Sequence, residues 1–223
     1  MLSISFYRPR EYFSGFLNKF VTWLTSGEFC HCDLVIHTTP HDIMNVVKEI
    51  YQSAQKGEYA PEDCQRIIGQ IESNFFSVDF RKAVQQSDSI TLSFAALWGL
   101  PMTTRVLNTF SHDSWFRIPD NEISVAEIMD FPIVDKEKSV EILKFSIEQL
   151  GKDYDTSGAL CSWLPFSDSD PQKTRETYFC SEFCVIAFQR LGFMNDLVAK
   201  HTTPNALYEY VKKNENVYKV AGE

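Results

Sequence analysis

The sequence predicts an α+β fold in which an antiparallel sheet packs against helices. Short segments alternate apolar and polar residues or are rich in β-branched residues, which is typical of strands. Longer segments repeat apolar residues every three or four positions, which is typical of amphipathic helices. The two kinds of segment do not alternate regularly along the chain, and this favours an antiparallel sheet. With 223 residues, of which 44% are hydrophobic, the chain can bury one sizeable core, so we expect a single domain over residues 1–223.

Five segments are predicted as strands because apolar, small or β-branched residues dominate them. They cover residues 2–7, 29–37, 89–100, 103–107 and 114–120. Pro9 stops the first strand, and Gly99 with Pro101 marks a turn before the fourth. In the second strand, "FCHCDLVIH", successive side chains point to opposite faces, so His31 and Asp33 share one face.

Seven segments are predicted as helices from the spacing of their apolar residues. They cover residues 12–27, 42–57, 60–73, 124–131, 135–151, 180–191 and 202–214. Pro61 and Pro204 fall in the first turn of their helices, where proline is favoured. Thr203 is the expected N-cap of the last helix, and Gly192 ends the one before it. Residues 152–177 are rich in Ser, Asp and Pro, so we expect an exposed loop there.

Charge and composition exclude several classes of partner. The net charge is −9 and no basic patch is visible, so we expect no nucleic-acid partner. Arg and Glu occupy the N-terminal stretch where a secretory signal would need apolar residues. No apolar run of about 18 residues is present, so we expect no membrane span, and only the aromatic content favours contact with a membrane. Six cysteines without a secretory signal indicate free thiols in a reducing, cytoplasm-like compartment.

Cys180 stands where a helix is predicted to begin, within "YFCSEFCVIAFQRLGF". The unpaired N–H groups and the positive end of a helix lower the pKa of a thiol in this position and favour the thiolate. The alternative is a buried cysteine that packs as a small hydrophobic residue, which is the commoner role of any single cysteine.

His31 is the strongest candidate for the base that a catalytic thiol needs, because a strand holds its side chain rigidly. The alternative is a half-buried histidine with a structural role. His37 and His41 flank a turn, and His112 lies in a loop with Ser and Asp. His201 lies near the start of the last predicted helix, whose dipole disfavours a protonated ring.

Several motifs occur in an order that resembles a known family. A strand with an early histidine, "CHCDLVI", is followed by "ALWGLPMTTRVL", "WFRIP", "QLGKDYD", "YFCSEFCVIAFQRLG" and "TPNALYEYV". This order is similar to that of the circularly permuted papain-like hydrolases of the NlpC/P60 superfamily, which include uncharacterised bacterial members and poxvirus-type members. In ordinary papain-like enzymes the cysteine helix precedes the histidine strand. The resemblance covers residues 1–40 and 87–212, and it implies that residues 41–86 are a helical insertion.

The resemblance implies a cysteine-protease-like thiol hydrolase without a cofactor. Cys180 would be the nucleophile that forms an acyl-enzyme, and His31 the general base. The family completes its site with a polar residue that orients the imidazole, usually on the strand after the histidine. Thr91 and Ser93 are the polar residues inside that strand. Asp33 shares a face with His31, but residues two apart on a strand are separated by about 6.5 Å, which leaves direct contact open.

The implied substrates are peptide amides, lipid esters or conjugated proteins. Tyr154, Phe179 and Trp163 are the side chains that we expect to line the substrate site. Phe166 and Trp98 are further aromatic candidates for an apolar cleft. The alternative for all of these rings is packing in the core.

Two other interpretations compete with the hydrolase. Zinc would need ligands from Cys30, His31, Cys32, Cys180 and Cys184, but strand alternation turns Cys30 and Cys32 away from His31. The other interpretation is a non-catalytic structural or interaction module of the same fold, for example in a virus particle. Two features favour that module. Thr91 and Ser93 would orient an imidazole more weakly than a carboxylate or a second imidazole would, and the insertion over residues 41–86 is large. A hydrolase is expected to contain one thiol that alkylates fast at neutral pH, whereas a scaffold is not.

Overall fold

A computed structural model describes residues 1–9, 27–97, 100–107, 123–162 and 176–218. The predicted strand over 114–120 lies outside the described residues, as does the predicted helix over 12–27 apart from its last residue. Four side chains considered above also lie outside them: Trp98, His112, Trp163 and Phe166.

The main sheet has five strands, and every neighbouring pair is antiparallel. The strands are β1 (Leu2–Pro9), β2 (His31–Thr38), β3 (Ile90–Ala95), β4 (Thr103–Leu107) and β5 (Ile123–Phe131). Their order across the sheet is β4-β3-β2-β1-β5, so β2 is central. The α+β class with an antiparallel sheet is therefore confirmed. In the register, Tyr7 on β1 lies opposite His31 on β2, and Ser93 on β3 lies opposite Arg105 on β4.

The helices and the short elements lie between and after these strands. They are α1 (Pro40–Gln55), α2 (Pro61–Asn74), α3 (Val78–Gln86), α4 (Lys136–Gln149), β6 (Asp153–Tyr154), α5 (Thr156–Cys161), β7 (Thr177–Tyr178), α6 (Cys180–Arg190), a 3₁₀ turn (Ala199–His201), α7 (Pro204–Lys213) and α8 (Glu215–Tyr218). β6 and β7 pair in parallel. Thr203 caps α7 as expected, because its side chain accepts the N–H of Ala206 at 3.1 Å. Gly192 follows α6 with φ of +82°, a left-handed conformation that favours glycine.

The two faces of the sheet differ in chemistry. One face carries fully buried apolar side chains such as Phe6, Leu34 and Phe94, which form the main core together with the helices. Burying each such side chain stabilises the fold by about 1.5–3 kcal/mol. The opposite face is polar yet also buried, and it carries Asp33 and Ser93. This polar face is where the candidate site lies.

Two predictions about secondary structure are wrong. Residues 124–131 form part of strand β5, not a helix, because they pair with β1 along its whole length, and this pairing outweighs the apolar spacing of the segment. The predicted loop over residues 152–177 is wrong where the structure describes it, since β6, α5 and the start of β7 lie within residues 152–162 and 176–177. Residues 163–175 of the predicted loop lie outside the described residues. Asp155 supports this local order by accepting the N–H of Gly158 at 2.7 Å as the N-cap of α5.

The segment between β2 and β3 is helical, as expected, and consists of α1, α2 and α3. Its role as an insertion into a family fold stays a prediction. Among the described residues, no helix combines the length and the apolar character that a membrane crossing requires.

Candidate active site

Cys180 is the first residue of α6, the helix that packs directly on β2. Phe179 before it has an extended backbone (φ −103°, ψ 167°), so the chain enters the helix at the cysteine. Glu182 in the first turn accepts the backbone N–H of Phe179 at 3.4 Å. The first N–H groups of a helix have no partner within it, and together with the dipole they favour a thiolate at this position.

His31 and Asp33 contact each other directly. His31 Nε2 lies 2.6 Å from Asp33 Oδ1, and both side chains are buried. The separation of about 6.5 Å between residues two apart on a strand did not decide whether these side chains would touch. In the structure they incline toward each other and form a direct contact. Asp33 is therefore positioned to orient the imidazole of His31.

The second oxygen of Asp33 is held from both neighbouring strands. Tyr7 on β1 and Ser93 on β3 each donate a hydroxyl hydrogen to Asp33 Oδ2 at 2.8 Å. Ser93 thus orients the carboxylate and does not contact the imidazole itself. Thr91, the other polar residue of that strand, is hydrogen-bonded to His37 Nδ1 at 2.8 Å, away from this group.

Cys180 lies close enough to His31 and to Cys32 for each of these residues to influence the pKa of its thiol. Because Nε2 of His31 faces Asp33, Nδ1 is the nitrogen left for the Cys180 sulfur. The structure thus places Cys180 within electrostatic reach of the hydrogen-bonded pair of His31 and Asp33.

The electrostatics of the group favour a charged pair. Hydrogen bonds from Cys32 hold the pKa of Cys180 well below its usual value, and the charge and hydrogen bond of His31 add to this effect against the burial of the sulfur. Burial lowers the pKa of His31, but Asp33 and Cys180 overcome it and raise this pKa to about 10. The directions of the two shifts both favour a thiolate and an imidazolium over the neutral pair.

Arg105 adds a positive charge behind the carboxylate. Burial opposes the ionised form of Asp33, but His31 and then Arg105 and Ser93 keep the pKa of Asp33 below its usual value. Arg105 is itself buried, and its Nε and Nη2 have no hydrogen-bond partner among the described residues. It therefore acts on Asp33 through its charge.

The residues predicted to bind substrate have different positions. Tyr154 lies on β6 opposite Tyr178, and the charge of Cys180 contributes, after burial, to raising the pKa of Tyr154. Its hydroxyl is thus within electrostatic reach of the sulfur. The Phe179 ring is only 2% exposed, so it is not offered to a substrate in this structure. Trp163 lies outside the described residues.

Sequence reasoning missed two residues of the site, Tyr7 and Arg105, and it considered Cys32 only as a possible zinc ligand. The alternation of "LSISFY" could have placed Tyr7 on the polar face of β1 together with Ser3 and Ser5. No local signal could have aligned Tyr7 with β2, because strand register depends on tertiary pairing.

The cysteines of the site carry free thiols, as expected from the composition; so does Cys64 on α2. Within the described ranges, no group of three or more His, Cys, Asp or Glu side chains is arranged to hold a metal ion. No family model matches the chain, and neither the curated proteins nor the solved structures contain a match to it.

Proposed function

We propose that this protein is a thiol hydrolase or acyltransferase of the permuted papain-like type, with Cys180 as nucleophile, His31 as general base and Asp33 as the residue that orients the imidazole. The observation that carries the proposal is the 2.6 Å contact between His31 Nε2 and Asp33 Oδ1, next to a cysteine at a helix start whose charge raises the pKa of that imidazole. The order of the motifs, which resembles the NlpC/P60 superfamily, supports the same assignment. The free thiols support a reducing, cytoplasm-like compartment.

The reaction is acyl transfer. The Cys180 thiolate attacks the carbonyl carbon of an amide or ester, and the backbone N–H of Cys180 at the helix start is suited to stabilise the developing oxyanion. The His31 imidazolium then gives its proton to the departing nitrogen or oxygen, which leaves an acyl-enzyme. Neutral His31 next takes a proton from water or another acceptor nucleophile, which attacks the thioester and releases the acyl group.

Each neighbour of the pair has a defined role in this reaction. Asp33 keeps the imidazolium charged and turned so that Nδ1 faces the sulfur. Tyr7 and Ser93 fix the carboxylate through its second oxygen. Tyr154, within electrostatic reach of the sulfur, is the candidate contact for the carbonyl or its leaving group. Peptide amides, lipid esters and conjugated proteins are the substrate classes that this chemistry fits.

A non-catalytic module of the same fold, such as a component of a virus particle, is the second candidate function. The observation that favours it is the burial of the reacting groups, since Cys180 is 4% exposed and His31 6% exposed. A carbonyl carbon has little open surface on which to approach the sulfur in this conformation. A module of this kind would keep the polar group as a buried, hydrogen-bonded core element.

Labelling with a carbonyl electrophile tests the proposal. We expect one thiol of the wild-type protein to react fast at pH 6, where an ordinary cysteine is protonated. The label should map to Cys180, disappear in Cys180→Ala and slow strongly in His31→Ala. Cys64→Ala is the matched control, because Cys64 is also a free thiol but contacts the backbone carbonyl of Tyr59. Equal labelling of all four proteins would reject the hydrolase and favour the module.

A further inference from the structure

A cavity of about 190 Å³ lies between the helices α2 and α3 and the strands β3 and β4. Its apolar walls come from the rings of Phe75 and Phe80, from Leu92 on β3 and from Val106 on β4. The two rings pack edge to face, with their centroids 5.1 Å apart. The proposed nucleophile, base and orienting residue do not line this cavity, so it is separate from the candidate active site.

The side chain of Thr104 belongs to the same face of the sheet as these apolar walls. In the register of β3 and β4, Thr104 lies opposite Phe94 and Val106 lies opposite Leu92. Because side chains alternate along a strand, the side chain of Arg105 lies on the other face, and Arg105 lines the cavity with its main chain. The Thr104 hydroxyl is therefore the side-chain polar group that β4 directs toward the cavity.

This hydroxyl is buried without a hydrogen-bond partner. Thr104 is 5% exposed, and its Oγ1 has no partner among the described residues. Burying a hydroxyl without a partner costs free energy, and such groups are uncommon in native proteins. A valine would have the same shape on this strand and would avoid the cost. The unpaired hydroxyl therefore indicates a ligand that completes its hydrogen bond.

Three other polar side chains at the cavity donate their hydrogen bonds to the chain itself. Ser73 and Asn74 donate to the backbone carbonyl of Gln70 at 3.2 and 2.8 Å, and Ser77 donates to that of Asn74 at 3.0 Å. Ser73 is exposed, whereas Asn74 and Ser77 are half-buried. These residues therefore mark the side on which the cavity opens toward solvent and a small molecule has access.

The size and the walls of the cavity define the class of ligand. A buried water typically makes about three hydrogen bonds, which walls of two phenyl rings and two aliphatic side chains do not supply. An apolar cavity of about 150 Å³ holds a benzene molecule. At about 190 Å³ this cavity admits a ring with one small substituent, and its two phenyl rings favour edge-to-face packing with an aromatic ligand.

We propose that this cavity binds a small aromatic alcohol, the size of a phenol, whose hydroxyl pairs with Thr104 Oγ1 and whose ring packs against Phe75, Phe80 and Leu92. A threonine hydroxyl both donates and accepts, so it pairs with a ligand hydroxyl in either direction. The proposal does not depend on the proposed function, because the cavity shares no reacting group with the candidate active site.

Titration of the wild-type chain with phenol and with toluene, followed by amide and methyl NMR signals, tests the proposal. The two molecules have nearly the same size and differ by the exchange of a hydroxyl for a methyl group. We expect phenol to shift the signals of Leu92 and Val106 until they saturate, and toluene to compete for the same place. If phenol leaves these signals unchanged, water or the chain's own residues fill the cavity and the proposal is rejected.

Two matched variants test the hydrogen bond. In Thr104→Val the affinity for phenol should fall by about tenfold, because its hydroxyl is then buried without a partner, while the affinity for toluene is retained. Thr103→Val is the control, since Thr103 is the neighbouring threonine of β4 and lies opposite Ala95 on the other face; both affinities should persist. An unchanged affinity of Thr104→Val for phenol would overturn the assignment. The wild-type titration with phenol decides by itself if Thr104→Val does not fold.

Discussion

Replacement of Cys180 by alanine should change how the stability of the protein depends on pH. In the folded protein the pKa of His31 is raised to about 10. A raised pKa contributes stability that is fully present below the ordinary value of about 6.5 and is lost as the pH rises toward 10. The pKa of Cys180 is lowered from about 9, so its contribution is fully present above pH 9 and is lost as the pH falls.

In the wild-type protein these two contributions cancel over a defined range. Between about pH 6.5 and 9 the unfolded chain holds a proton on Cys180 and none on His31, whereas a folded chain with the proposed thiolate–imidazolium pair holds the reverse. Folding then moves one proton from sulfur to imidazole without net uptake or release. The pair therefore adds no slope to the stability of the wild-type protein in this range.

Cys180→Ala removes the compensating group. Asp33 still raises the pKa of His31, so each folded molecule of the variant takes up a proton on this ring that the unfolded chain lacks above pH 6.5. The stability of the variant should therefore fall, relative to wild type, by about 1.4 kcal/mol for each pH unit above 6.5, up to the pKa of His31 in the variant. Urea unfolding at half-unit steps from pH 6 to 8.5 measures this difference.

The difference in free energy of unfolding between the wild-type protein and a variant cancels the contributions of the other titratable groups, because both proteins contain these groups. Cys64→Ala should differ from wild type by a constant free energy of unfolding across the same range, because its thiol donates to the uncharged backbone carbonyl of Tyr59. A difference between wild type and Cys180→Ala that stays constant from pH 6.5 to 8 would refute the thiolate–imidazolium pair, whatever the catalytic activity.

Three further predictions concern the partners of the pair. Asp33→Asn should lower the pKa of His31 by several units, because burial then acts with less opposition; imidazole titration by NMR measures this, and an unchanged pKa would contradict the role of the carboxylate. Tyr7→Phe and Ser93→Ala each remove one hydrogen bond to the charged Asp33 Oδ2, so each should lower the free energy of unfolding measured in urea by about 1.5–3 kcal/mol. Because both hydroxyls donate to the same oxygen, the two effects should not be additive. Arg105→Met should raise the pKa of Asp33, because it removes a positive charge that favours the ionised carboxylate. When the pH is lowered, the variant should therefore begin to lose stability at a higher pH than the wild-type protein does.

The sequence predicts most of the fold where local signals decide it. Thr203 and Pro204 identify the start of α7, and the apolar spacing after Cys180 identifies α6. The prediction of a helix over residues 124–131 is wrong because the segment pairs with β1 at the edge of the sheet, and a local sequence pattern does not reveal this pairing. Strand pairing of this kind is decided by residues more than a hundred positions away.

The residues of the candidate site also fall into two groups: those that local sequence predicts and those that only tertiary pairing places there. Cys180 and His31 are recognisable from their local surroundings, a helix start and a rigid strand. Alternation along a strand determines only that His31 and Asp33 share one face of the sheet. Their contact depends in addition on the orientation of the two side chains, which the sequence does not reveal. Tyr7 and Arg105 join the site through the registers of two different strand pairs, β1–β2 and β3–β4, which no short segment encodes.

The placement of the proposed base and its proposed orienting residue on one strand has a physical consequence. Because His31 and Asp33 are two residues apart on β2, their mutual geometry is set within a single strand that is hydrogen-bonded on both sides. Only the distance from α6 to β2 then has to be fixed by packing, and Cys32 and Cys184 contact each other at that interface. A change of volume at Cys184, which is fully buried, should therefore move the sulfur of Cys180 relative to the imidazole while leaving the contact between His31 and Asp33 intact.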